Sequence, residues 1–323
     1  MPMENIIKQP QYDFLNTNPL LGPNIILLAL GGSYAYGTTT PTSDIDIRGC
    51  ALEQKKHLLT NHNFEQVTDN TTDTVIYSLK KMVSLLSACN PNIIEILGCR
   101  PGHYLKITPA GQMLLDNKQL FLSKEACKSF GGYASAQLRR LDNKTARKFT
   151  PDENERHICD RLKEMRPYDS ISFAVKNTGS HNEICISGRF TNIPFREFYT
   201  NIAELNQTVR EYERNSTRNK NAVEHGKIAK HMMHLLRLYM MLEDILKDGD
   251  IVTYRAKEHN LLMDIRNGKF LDKKEQPTKE FFELVKEYED RTNTAKIHSD
   301  LPDKPDYEKI NQLLINIYET YVF

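Results

Sequence analysis

The sequence predicts an α+β fold: a small α/β domain over residues 1–108, then a mainly α-helical region over 109–323 that carries a β-hairpin near 170–190. Three observations predict it. The apolar run Ile25–Leu30 stops at Gly31-Gly32-Ser33, the pattern of a buried strand running into a tight turn. Thr74–Leu79, rich in β-branched residues, leads straight into Lys80–Cys89, where Met82, Leu85, Leu86 and Cys89 recur at helical spacing. Beyond residue 220, apolar positions keep a helical period between breaks at Gly249, Gly268 and Pro302.

Taken in order, residues 1–23 are polar and broken by Pro10, Pro19 and Pro23. Residues 24–30 form the first strand, and the glycine turn leads into a short helix at Ser33–Tyr36. Thr42–Cys50 reads as the second strand, with Ile45 and Ile47 on the face opposite Asp44 and Asp46. Polar loops fill 51–72, and Thr74–Leu79 is the third strand. Asn90-Pro91 stops the helix that follows, and Pro91 suits the first turn of the next, Asn92–Leu97. Residues 110–166 read as helical, basic and amphipathic, interrupted at Gly131-Gly132. Ile171–Val175 and Glu183–Phe190 are strand-like and joined by a polar stretch containing glycine, a hairpin signal. Helix returns at 193–213 and at Ala222–Leu246, ended by Asp248-Gly249-Asp250. Ile251–Tyr254 is extended; His259–Asn267, 277–292 and Tyr307–Tyr321 are the remaining helices. No internal repeat or low-complexity segment is present.

With 323 residues the chain can bury a large core, and its length suggests two domains. A net charge of +1 implies neither a nucleic-acid nor a membrane partner for the molecule as a whole. Locally the balance differs: Lys118, Lys124, Lys128, Arg139, Arg140, Lys144, Arg147 and Lys148 stand against Glu125 and Asp142. That run is either a solvated helix face or a track for nucleic-acid phosphates. The six cysteines form no Cys-x-x-Cys pair and have no zinc-ligand spacing to histidine, so structural thiols in a reducing compartment are expected. The first residues lack the basic start and apolar core of a signal peptide, and no apolar run approaches bilayer length. A cytoplasmic protein with no membrane partner is the expectation.

The chemistry gathers in residues 31–49. Ten residues separate Ser33 from Asp44-Ile45-Asp46. In an extended chain residues i and i+2 share a face, so Asp44 and Asp46 aim two carboxylates at one point. Such a pair repels itself unless a divalent metal sits between. The glycines upstream let backbone N–H groups approach a phosphate. Together these features describe a metal–nucleotide site.

The pattern Gly32-Ser33, ten residues, Asp44-Ile45-Asp46 resembles the signature of the DNA polymerase β-like nucleotidyltransferase superfamily. The runs Gly32-Ser33-x-Ala35-x-Gly37 and Ser43-Asp44-x-Asp46-x-Arg48-Gly49 resemble the branch of predicted nucleotidyltransferases of bacteria and phages that is sometimes associated with RNA ligases. Asn90-Pro91 with Glu95, the run Lys230 to Leu238, Gly249, Asp264 to Gly268 and Leu301-Pro302 are similar to further motifs of the same branch. The likeness spans both ends of the chain and is weakest between 140 and 215, where the hairpin reads as an insertion.

This resemblance implies a polymerase-β-like N-terminal domain that takes a nucleoside triphosphate and moves its NMP to an acceptor hydroxyl. Mg²⁺, or Mn²⁺, would bind Asp44, Asp46 and a third carboxylate, since two-metal transfer needs one. Asp73, opening the third strand, is the candidate, with Asp69 and Glu65 as rivals; its other role is that of a turn residue at a strand start. Gly32 and Ser33 would grip the phosphates, although Ser33 is also suited to capping the helical turn. Arg48 shares the acids' face and either contacts phosphate or forms a structural ion pair. On the later helix, Lys227, Lys230, His231, His234 and Leu238 lie along one stripe with Arg237 at its edge, among Met and Leu residues, so the helix reads as largely buried. Buried cations need an anion, and a triphosphate or the acids would serve. His231 and His234 could alternatively bind metal. Glu95, among apolar residues, reads as a buried acid paired with Arg100 or with that stripe. The acceptor expected is an RNA or tRNA end. An AMP-transferring enzyme acting on protein hydroxyls, or a non-catalytic nucleotide- or RNA-binding protein, are the alternatives.

Overall fold

The computed structural model describes residues 3–134, 141, 171–177, 182–188, 194–195, 199, 202–203, 227–273 and 275–323. By contacts the chain divides into two units, Met1–Ala136 with Met233–Phe270 and Pro277–Phe323, and Gln137–Met232 with Leu271–Gln276.

A mixed five-stranded sheet organises the first unit. Its strands are β1 (Ile25–Leu30), β2 (Ile47–Ala51), β3 (Gln66–Asp69), β4 (Thr74–Ser78) and β5 (Tyr104–Ile107), in the order β3-β4-β2-β1-β5. β1 is antiparallel to both β2 and β5, β3 is antiparallel to β4, and β2 runs parallel to β4. Every residue of β1 is buried, because the strand is central and covered on both faces. Ile26, Leu27 and Ala29 join one core, while Ile25, Leu28 and Leu30 join the other. The break in strict alternation falls at the irregularity between Ile25 and Leu27.

The larger core is built by helices. Ten are named here: α1 (Phe14–Thr17), α2 (Gly32–Tyr36), α3 (Lys55–Leu59), α4 (Leu79–Ser87), α5 (Pro91–Ile94), α6 (Pro109–Asp116), α7 (Lys227–Asp248), α8 (His259–Arg266), α9 (Lys279–His298) and α10 (Tyr307–Tyr321). Ser78 caps α4 by accepting from the Lys81 N–H, and Asn90 caps α5; Pro91 stands in the first turn of α5, as the sequence suggested. Met82, Leu86, Ile94, Leu114, Leu242, Ile245, Leu313 and Ile317 meet in this core. Burying such a side chain contributes roughly 1.5–3 kcal/mol. The smaller core lies on the other face. There Ile6, Tyr12, Leu15 and Leu21 of the N-terminal segment cover Ile47 and Ile76. The polar, proline-broken reading of residues 1–23 missed this cover, whose apolar side chains are spread over short 3-10 and α turns too brief to show a helical period.

Three elements depart from expectation. β2 starts at Ile47 rather than Thr42, because its ladder with β4 begins at Ile47↔Thr74 and residues 40–43 are held in a turn. β3 lies in the stretch read as polar loops; it is short, and Val67 is its one apolar residue. Residues 126–134 are helical straight through Gly131-Gly132, where a Cβ would meet nothing and the glycines cost only propensity.

The division by contacts places residues 233–270 and 277–323 in one unit with the sheet, where their side chains share its larger core. One further tie is Glu53, 3% exposed, whose carboxylate accepts the N–H groups of Leu79 (3.2 Å) and Lys80 (3.1 Å) and the hydroxyl of Tyr318 (2.6 Å). It caps α4 and ties the C-terminal helix α10 to the sheet domain. In the second unit, β6 (Ile171–Asn177) pairs antiparallel with β7 (Asn182–Gly188), so the expected hairpin is present. The readings at 142–166 and 193–213 fall wholly or mostly outside the described residues. Among the described residues no helix is long and apolar enough to cross a membrane.

Candidate active site

The site forms where β1 ends. Gly31 leads into α2, and its N–H donates to the Asp46 carbonyl at 2.8 Å, which pins the acid segment beside the glycine turn. Gly32 has φ +53, and a Cβ there would overlap Asp46 Oδ2 and stand 2.9 Å from its Cγ. Glycine is therefore needed twice over, for its conformation and for the approach of the carboxylate. Gly32→Ala is expected to destabilise the protein by roughly 1–2 kcal/mol through the left-handed backbone and to swing the Asp46 carboxylate aside. Urea unfolding checks the first; a variant as stable as the parent would refute it.

Gly37, with φ +73, ends α2 against the Tyr254 ring. Ser33 is half-buried, and among the described residues nothing engages its hydroxyl; Gly31, not Ser33, stands at the helix cap. The amides of this first turn have no helical partner of their own.

Asp44 is exposed and Asp46 half-buried, in an extended lead-in to β2. Ile45 between them packs against the smaller core. Asp73 immediately precedes β4, so continuing the parallel register one step back from Ile47↔Thr74 brings it beside Asp46. Its φ is +44, and its carbonyl accepts the Ile47 N–H at 3.3 Å. The Asp73 carboxylate pairs with Arg48 Nη2 at 3.0 Å, and Arg48 Nη1 donates to the Asp73 carbonyl. Arg48 thus forms an ion pair within the site. The rivals for the third acid are engaged elsewhere. Asp69 accepts the Thr72 N–H and hydroxyl, each at 2.8 Å, which holds its carboxyl below the usual range, and Glu65 pairs with Lys81 at 3.3 Å. An open cleft of about 760 Å³ is lined by Asp44, Ile45, Asp73, Tyr12 and the turn 70–72.

The helix stripe separates into two parts. Lys227, Lys230 and His231 belong to the second unit; there Lys230 is exposed and His231 half-buried. His234 and Arg237 belong to the first, and Arg237 is 7% exposed. Its guanidinium stacks on the Tyr36 ring, 3.3 Å from the centroid, lies 2.7 Å from His234 Nδ1 and faces Glu95 at 4.0 Å. Because arginine only donates, His234 Nδ1 accepts. Tyr36 donates its hydroxyl to Glu95 Oε2. Burial pushes the Glu95 carboxyl up, against the pull of Arg237 and of the Tyr36 hydroxyl. Arg237, expected as a phosphate ligand, is thus a buried support of α2, and the carboxylate it faces is Glu95. Arg100, the other partner considered for Glu95, stacks on Tyr254 instead. Tyr36 and Arg266, described below, were not singled out from sequence; only their place next to the motifs marked them.

The donor set suits Mg²⁺ or Mn²⁺, being carboxylate oxygens beside a cleft. Asp44 lines the cleft with Asp73, and Asp46 packs against Gly32; among the described residues no three His, Cys, Asp or Glu side chains come together as a ready metal group. Asp44 and Asp46 would be the residues to hold such an ion, and Asp73 would have to leave Arg48 to join them.

A mixed sheet with a Gly-Ser turn facing an Asp-x-Asp segment is the architecture of a polymerase-β-like domain. Residues 3–166, just over half of the chain, match the RNA repair pathway DNA polymerase beta family, and the chain belongs to that family. It is also similar to an uncharacterized 38.9 kDa protein from the nrdC–mobD intergenic region of Enterobacteria phage T4, with 24% identity over 89% of this chain and 95% of that one. No solved structure matches.

Proposed function

We propose that the protein is a nucleotidyltransferase that moves an NMP from a nucleoside triphosphate to an acceptor hydroxyl on RNA, with Mg²⁺ or Mn²⁺ held by Asp44 and Asp46. The observation that carries this reading is the packing of Asp46 against Gly32, beside the free Ser33 hydroxyl. Gly32 and Ser33 bind phosphate oxygens through the first-turn amides and that hydroxyl. Asp73 would join the metal's ligands on leaving Arg48, which would then offer its charge to the phosphates. A metal held there would supply charge to offset the phosphates and to lower the pKa of the attacking hydroxyl. The acceptor oxygen bonds the α-phosphorus as the bond to the bridging oxygen breaks, and pyrophosphate leaves.

The RNA acceptor is supported by the family's description as part of an RNA repair pathway. The basic run does not support it further. Lys118, Lys124 and Lys128 pair with Asp250, Asp303 and Glu125, and the other five cations lie outside the described residues. Incubation with each α-labelled nucleoside triphosphate, Mg²⁺, RNA and protein tests the proposal. Label on RNA with release of pyrophosphate is the expected result. Label on protein would make it an AMP-transferring enzyme, and nucleotide binding without pyrophosphate release would leave a non-catalytic binding protein.

A further inference from the structure

The connector between the glycine turn and the acid pair is held from outside. Arg266, the last residue of α8, directs Nη2 to Ser43 Oγ (3.1 Å) and Thr40 Oγ1 (3.4 Å). Those hydroxyls contact each other at 3.0 Å, the Thr40 N–H donates to Ser43 Oγ at 2.8 Å, and the Ser43 N–H donates to the Thr40 carbonyl at 3.0 Å. The four-residue turn is therefore closed on itself and bolted to α8 through one nitrogen. Burial lowers the Arg266 pKa, but a guanidinium carries its charge in proteins, so the donor is cationic. Ser43 is directly followed by Asp44, whose carboxylate lies on the cleft. Asp46, by contrast, is fixed separately, through its carbonyl and the Gly31 N–H. Asp44 has no such backbone tie of its own, so the direction in which it leaves the turn depends on the clamp.

We propose that Arg266 is a positioning residue for Asp44, acting through the Thr40–Ser43 turn to hold that carboxylate where it shares a divalent cation with Asp46. The proposal rests on the metal role given to Asp44 and Asp46 above. Groups that orient a metal-binding side chain typically change metal affinity roughly 10–100-fold when removed.

The test measures Mn²⁺ binding to the full-length protein, without nucleotide, for the parent, Arg266→Ala, Arg266→Lys and Ser43→Ala. The Mg²⁺ concentration giving half-maximal NMP transfer is measured alongside. Arg266→Ala is expected to weaken Mn²⁺ binding about tenfold and to raise the Mg²⁺ requirement in parallel, with transfer recovering at high Mg²⁺. Arg266→Lys, which keeps one donor nitrogen, is expected to fall within a few-fold of the parent. Should Arg266→Ala fail to fold, Ser43→Ala removes the other end of the clamp and carries the same expectation. Unchanged Mn²⁺ affinity in Arg266→Ala or Ser43→Ala overturns the clamp while leaving the site assignment standing. A parent protein whose Mn²⁺ binding is indifferent to Asp44→Ala overturns the metal site itself, and this proposal with it.

Discussion

The double variant Asp44→Ala/Asp46→Ala is expected to fold like the parent and to transfer no measurable nucleotide. The two halves of that expectation have separate causes. For stability, Asp44 is exposed and Asp46 half-buried, and the contact that joins the acid segment to the glycine turn is made by the Asp46 backbone carbonyl, which alanine keeps. Surface changes of this kind usually stay within about 0.5 kcal/mol, and removing two like charges relieves repulsion. For activity, the proposed metal loses its two best-placed oxygen donors. Lewis-acid stabilisation of the transferring phosphoryl group is worth several kcal/mol, and each 1.36 kcal/mol is tenfold in rate. A fall of about a thousandfold or more in single-turnover NMP transfer should therefore accompany an unchanged urea midpoint. Transfer that survives in the double variant would sink the assignment, and a large loss of stability would show that the carboxylates hold the fold instead.

What could be read in the sequence was what neighbouring residues decide. Ile25–Leu30, the Gly-Ser turn, the hairpin pairing Ile171–Asn177 with Asn182–Gly188, and Tyr307–Tyr321 each carry their own periodicity and stop signals. Asp73's place just before β4 was also legible, because it precedes a β-branched strand, although its neighbour Arg48 was left open between phosphate contact and ion pair. What escaped was set by pairings distant in the chain. The start of β2 follows the register with β4, which begins at Thr74. The extent of the first unit follows packing between distant segments, with the Glu53–Tyr318 bond as one tie. Burial of the cationic helix was foreseen from its Met and Leu content. Its anion was left open among a triphosphate, the site acids and Glu95, since a general need for a counter-charge does not say which anion answers it. Glu95 was read as a buried acid paired with Arg100 or with the stripe, and the folded chain sets it beside Arg237 and Tyr36.

That network gives the largest expected loss of stability. Glu95 and Arg237 have side chains 9% and 8% exposed, so each charge depends on the other for compensation. Breaking such a pair by removing one partner typically costs about 3–5 kcal/mol, because the remaining charge stays buried without its counter-ion. Glu95→Ala leaves Arg237 in that condition and also strips the Tyr36 hydroxyl of its acceptor. Tyr36 is itself buried, and burial pushes its phenol well above the ordinary range, so it stays a donor and needs that acceptor. Glu95→Gln separates the two effects, since its amide oxygen can still accept from Tyr36 while the charge is gone. Urea unfolding should place Glu95→Ala roughly 3–5 kcal/mol below the parent, with Glu95→Gln between them. A loss under about 1 kcal/mol for Glu95→Ala would mean that water or His234 already compensates Arg237. Because Tyr36 belongs to the same short helix as Gly32 and Ser33, the loosening should reach the site. Glu95→Gln is then expected to weaken nucleotide binding more than its stability loss alone explains, and equal binding by Glu95→Gln and parent would confine the network to a structural role.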